Sequence, residues 1–154
     1  MHPRLVITAL SFVLVTLPIV ARPTWDLVTP QEDARDRAAP HRSGHKRLAM
    51  VVPGAPLIQL LRPDISRPIN NPTTIVVRFS AGAGAAIDMR TFRATYGWLE
   101  IDVTNRLLAH AKKTPDSLFA ENVHLPLGEH SVTLSIADTS GKTASRTFNF
   151  SVAQ

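Results

Sequence analysis

The sequence predicts an all-β protein, an antiparallel sandwich of about seven strands over residues 57–154, preceded by an export segment and a polar linker. Three observations carry this prediction. From Leu57 onward apolar residues recur at every second position in short runs, the period of a strand with one buried and one wet face. Clusters of Gly, Pro, Asn and Asp separate the runs at intervals of roughly 8–12 residues, the spacing of a sandwich. The 154-residue chain has no cysteine, which excludes disulfides, thiolate metal sites and a cysteine nucleophile. An apolar core must hold the fold, and about a hundred residues can supply one.

Each element follows from its local pattern. "PLIQLLRP" (56–63) is apolar and proline-bounded, as an edge strand is. "TTIVVRF" (73–79) turns Ile75, Val77 and Phe79 inward, and Thr74, Val76 and Arg78 outward. "TFRATY" (91–96) buries Phe92, Ala94 and Tyr96, and "LEIDV" (99–103) buries Leu99, Ile101 and Val103. "HSVTLSIA" (130–137) buries Val132, Leu134 and Ile136, and "RTFNFSV" (146–152) buries Phe148, Phe150 and Val152. "SLFAENVHL" (117–125) is a weaker seventh candidate. "PINNP", "SAGAGAAID" and "YGW" are turns, and "ADTSGKT" closes a hairpin in which Gly141 can take positive φ. "TNRLLAHAKK" departs from the β pattern and predicts a short helix from Thr104, with Leu107, Leu108 and Ala111 inward.

Before residue 57 the chain reads differently. Arg4 and the amino terminus precede an apolar run of 13 residues from Leu5 to Leu17, ended by Pro18 and followed by the small Ala21. That is the layout of a secretory signal peptide over residues 1–21. The run falls short of the ~20 residues a membrane-spanning helix needs. Cleavage after Ala21 would put Ile19 where a small residue is preferred, so an uncleaved signal anchor in the inner membrane is the alternative. Residues 22–56 mix both charges with proline and predict a flexible linker. His41 and His45 are four apart, but Pro40, Ser43 and Gly44 break the helix that would pair them on a metal.

Composition narrows function by exclusion. The net charge of +5, from 17 basic and 12 acidic residues, has no dense basic run, which argues against nucleic acid as partner. No Gly-x-Ser-x-Gly occurs, no Gly-Lys-Ser/Thr follows "AGAGAA", and no His-x-x-x-His falls on a credible helix. Met50 and Met89 are isolated, and no histidine follows the cleavage site to serve copper. "DTSGKT" offers a single carboxylate, too few for calcium. The reading therefore assigns no catalytic residue, no metal and no cofactor. Its one surface candidate is a cationic face of Arg78, Arg90 and Arg93, on strands expected to neighbour each other and able to receive carboxylates.

"LPLGEHSVTLSIADTSGKTASRTFNFSV" (125–152) resembles the last two strands of bacterial immunoglobulin-like or fibronectin-III-like extracellular domains, through Leu125, Gly128, His130, Asp138, Gly141, Phe148 and Phe150. "RPDISRPINNPTTIVVRFSAGAGAAIDMRTFRATYG" (62–97) is similar to the first half of such a domain. The resemblance covers residues 57–153 and implies an immunoglobulin-like sandwich used as a stalk, spacer or accessory module. In that frame Gly128 turns the chain between sheets, and His130 pins the corner to upstream backbone, as a tyrosine does in related sandwiches.

The expectation is a non-catalytic, periplasmic or secreted interaction or structural module of the bacterial envelope. Its partner would be a protein or an acidic polymer, with membrane contact only if the signal segment is retained. The alternative is a periplasmic ligand or metal carrier, or an accessory domain of an envelope enzyme complex. Strand addition at the Leu57–Arg62 edge is a further route to a partner.

Overall fold

The structure, a computed structural model, describes residues 23–40 and 53–153. The export segment 1–21 and the His41–His45 pair lie outside the described residues.

Two sheets face each other. The first runs β1 (Trp25–Asp26), β8 (Ser117–His124), β4 (Thr73–Ser80), β2 (Leu57–Arg62), with β7 (Ala111–Lys113) also paired to β8. The second runs β3 (Ile69–Asn70), β10 (Thr143–Ala153), β9 (Gly128–Asp138), β5 (Ile87–Tyr96), β6 (Ile101–Asp102). Two helices complete the chain, α1 (Pro30–Ala38) and α2 (Thr104–His110). The inward side chains of the alternating runs fill the space between the sheets. Val77, Phe79, Leu118 and Ala120 come from the first sheet, and Phe92, Ala94, Leu134, Ile136 and Phe148 from the second. Phe79 and Phe92 meet edge to face across the sandwich, ring centres 5.8 Å apart.

Some expectations need correction. The long strands pair antiparallel, but β1 runs parallel to β8 and β3 parallel to β10, so both sheets are mixed. Each exception is a two-residue strand in a segment that docks on an edge in passing. "SLFAENVHL" is not marginal. It forms β8, which pairs with β4, β7 and β1, and its alternation looks weak because Asn122 takes positive φ and breaks the period. Leu99 is exposed in the turn after Gly97, so only Ile101–Asp102 pairs there.

The larger correction is to the flexible linker expected over 22–56. Within its described part, Trp25–Asp26 joins the first sheet, Leu27 and Val28 enter the core with 2% and 0% exposure, and α1 follows. Thr29 and Glu32 form a reciprocal capping box, with Thr29 N donating to Glu32 Oε2 at 2.8 Å and Glu32 N to Thr29 Oγ1 at 3.2 Å. Pro30 sits in the first turn, where its missing N–H costs nothing. α1 carries no apolar stripe and docks instead by its carboxylates, with Asp33 and Asp36 buried.

The edge strand β2 is protected. Arg146, on β10, lies over the Phe148 ring and donates from Nη1 to Ile58 O at 2.9 Å. A bulge interrupts the β2 register between Leu60 and Arg62, and Pro63 follows. These features blunt the open edge against strand addition.

Candidate functional site

Three places hold the chemistry of this molecule: a buried polar chain under α1, the outward arginines, and a groove at the edge of the first sheet.

The buried chain begins at His130, whose side chain is fully buried. Nε2 donates to Pro126 O at 2.7 Å, four residues upstream, and Nδ1 faces the Tyr96 hydroxyl at 2.5 Å. That hydroxyl donates to Asp33 Oδ1 at 2.7 Å, and Asp33 also pairs with Arg37 at 3.0 Å. Arg37 Nη2 goes on to Leu127 O at 2.7 Å. Gly128, at φ 114°, lies beneath this guanidinium, and a Cβ there would come within 2.8 Å of Nη2. Asp36 Oδ1 accepts from Leu99 N at 2.7 Å, pressed against Gly97, which has no room for a Cβ. Farther along, Arg106 of α2 holds Glu32 through both nitrogens at 2.8 and 2.9 Å and brings its pKa down to about 2.

Burial raises the Tyr96 phenol above its ordinary range, with the Asp33 carboxylate adding to the effect. Burial lowers the His130 pKa, opposed by its bond to the Pro126 carbonyl and by Asp33. Phe150 closes the far side of the imidazole, ring centres 5.7 Å apart. Shut off from solvent on all sides, the imidazole is not placed to exchange a proton with a bound molecule. The arrangement fastens α1 and the Pro126–Gly128 corner to the sandwich.

The arginines do not converge. Arg78 points outward from β4 in the first sheet, whereas Arg90 and Arg93 lie on β5 in the second. The sequence expected neighbouring strands, but the two belong to opposite sheets, and their outward faces look away from each other. Arg90 is engaged with Asp88 at 2.9 and 3.0 Å, and Arg93 lies 3.5 Å from Asp102. No single cationic face results.

The groove was not legible as a site in the sequence. β7 pairs with β8 at residues 118–120 and β1 pairs with it at 123–124, leaving a gap on that edge. The Trp25 indole fills the gap, donating to Glu121 O at 2.9 Å. His110, at the end of α2, stacks on the indole with ring centres 4.4 Å apart and planes 11° from parallel. Beside this stack lies a hollow of about 210 Å³, bordered also by Pro23, Lys112, Phe119, Glu121 and Asn122. Lys112 is the register partner of Phe119, so the two side chains leave the sheet on the same face. The Lys112 and Asn122 side chains have no hydrogen bond or ion pair among the described residues. A second hollow, about 50 Å³, lies between the sheets and is lined by Leu60, Ile65, Ala94, Phe148 and other apolar side chains. It offers nothing to hold a water.

Among the described residues no three His, Asp or Glu side chains are grouped to hold a metal ion. His124 pairs with Asp26 at 2.9 Å on the surface. No described helix is long and apolar enough to cross a membrane.

No protein-family model matches the chain, and neither does any curated protein. Among solved structures, the crystal structure of CopC from Methylosinus trichosporium OB3b aligns with a TM-score of 0.40 and 15% identity, over 62% of this chain and 93% of that one. At that distance the likeness assigns no role to this chain.

Proposed function

We propose that this chain is an exported, non-catalytic binding module of the bacterial cell envelope that meets its partner at the groove between β1 and β7. The observation that carries this reading is the contrast between the two polar sites. The buried chain is internally bonded and closed to solvent. The groove gathers ring faces from Trp25, His110 and Phe119 together with Glu121 and with Lys112 and Asn122, whose side chains have no partner among the described residues, the mixture of anchors and orienting groups a binding site needs. Export rests on the charged start and the Leu5–Leu17 run. A mature chain beginning near Arg22 would start close to the groove, because Pro23 borders it.

The test is cell fractionation with N-terminal sequencing, joined to photo-cross-linking from a reactive residue at position 112. Mature protein in the envelope fraction, starting near Arg22 and cross-linked to an envelope component, is the expected result. An intact Met1 on membrane-bound protein favours the anchor. Unprocessed protein in the cytosol overturns the proposal.

A further inference from the structure

We infer that the open edge of β10 pairs with the same strand of a second copy of this chain, antiparallel about a twofold axis at Thr147, to form a dimer. The inference goes beyond the groove reading and is independent of it, since β10 lies in the second sheet and the groove in the first.

β10 is bonded along one side only. Its register with β9 runs unbroken from Thr143 to Val152. On the other side β3 takes only Val152 and Ala153. From Thr143 to Phe150 no described group bonds the outer N–H and C=O groups of the strand. Such a row is a template for another strand. The β2 edge is guarded by its bulge and Pro63, but this stretch of β10 has neither a bulge nor a proline. Its outward row, Thr143, Ser145, Thr147 and Asn149, is exposed and uncharged. Its one charge, Arg146, is drawn across to β2, onto Ile58 O, and over the Phe148 ring.

A second copy fits this edge because the strand is self-complementary. Two antiparallel strands related by a twofold axis set one residue opposite its own counterpart, and facing residues share a sheet face. Over residues 143–150 the central positions for that axis are Arg146 and Thr147. An axis at Arg146 sets two guanidinium groups opposite each other, which is unfavourable. An axis at Thr147 pairs Ala144 to Phe150 in full and leaves β3 in place. Ser145 then faces Asn149 of the second copy, and Arg146 faces Phe148 of the second copy, the ring type it already covers in its own chain. Thr147 meets its counterpart hydroxyl to hydroxyl, as Thr133 and Thr147 already meet at 2.8 Å on the β9 side. A foreign strand would find backbone groups here but no charge on the outward row to select it.

The experiment is sedimentation equilibrium of the mature chain, residues 22–154, over a range of concentrations, joined to thiol cross-linking. The chain has no cysteine, so Thr147→Cys gives a single thiol for a short bifunctional reagent. A concentration-dependent dimer is expected, and Thr147→Cys should be linked into it. Ser145→Cys alone should not be linked, whereas Ser145→Cys mixed with Asn149→Cys should be. Thr147→Lys sets two ammonium groups opposite each other and should weaken the dimer at least about tenfold. Gln31→Lys, which adds the same charge on exposed α1, should leave it unchanged. Circular dichroism checks that each variant folds; if Thr147→Lys does not, the cross-linking decides. A monomer at every concentration overturns the inference. A dimer indifferent to a folded Thr147→Lys, or one linked through Ser145→Cys alone and not through Thr147→Cys, overturns it as well.

Discussion

Removing residues 22–52, so that the chain starts at Pro53, tests whether the segment ahead of the long strands is part of the fold. Leu27 and Val28 are almost completely buried, and burying each is worth about 1.5–3 kcal/mol, or ~3–6 kcal/mol together. The cut also takes Asp33 from the Tyr96 hydroxyl and Arg37 from Leu127 O. Losing these two bonds, at about 0.5–1.5 kcal/mol each, adds about 1–3 kcal/mol. The loss of ~4–9 kcal/mol compares with a total stability of about 5–15 kcal/mol for a domain of this kind. The shortened chain should therefore unfold at much lower urea, or show no cooperative transition. Leu27→Ala in the intact chain is the gentler version and should cost about 2–5 kcal/mol. Urea unfolding followed by circular dichroism reads both. A shortened chain with the midpoint of the full one would refute the docking of α1 and restore residues 22–52 to a linker.

Other perturbations separate the individual contacts. His130→Ala should cost about 1–3 kcal/mol by removing the imidazole donor from the Pro126 carbonyl and leaving its buried site empty. Because burial lowers the His130 pKa, the unfolded chain holds that proton more tightly. The neutral ring's contribution is complete above about pH 6.5 and is lost as pH falls through the lower folded value. The unfolding midpoint should drop on acidification from about pH 7 to 5, and His130→Ala should flatten that drop; an equal slope in the variant would remove His130 as its source. Gly97→Ala should push Asp36 off Leu99 N, costing about 1–3 kcal/mol and hydrogen-exchange protection at Leu99, whereas Gly141→Ala, with open space around it, carries backbone strain alone. Val77→Ile reaches into the 50 Å³ apolar hollow and should raise stability by about 0.5–1 kcal/mol; a loss would show that the side chain cannot enter it.

The long strands were legible because burial on one face imposes a period of two, and Val77, Phe79, Phe92, Ala94, Tyr96 and Ile136 all lie where that period puts them. Helix α2 was legible from its start at Thr104 and the buried Leu107. The docked segment was missed for a physical reason. A helix held by Asp33, Asp36 and Glu32 leaves no hydrophobic periodicity, and its sequence looks solvated. The available signal was the capping pattern Thr29-Pro30-Gln31-Glu32 directly after Leu27 and Val28. Strand β8 was underrated because the break at Asn122 interrupts its alternation. The arginine face failed because assignment of β4 and β5 to different sheets is a long-range property that alternation does not carry. The groove is long-range in the same way: Trp25, His110 and Phe119 meet only through the pairing of β1 and β7 with one strand.

The most direct test of the groove as the contact surface of an envelope-binding module is co-sedimentation of the purified mature chain with isolated envelopes, compared with Lys112→Glu. Lys112 is exposed and engaged with no described partner, so the substitution should leave the unfolding midpoint within about 0.5 kcal/mol of the parent. The account expects the parent to pellet with the envelopes and the variant to stay in the supernatant at unchanged stability. Equal sedimentation of both, or of neither, would contradict it.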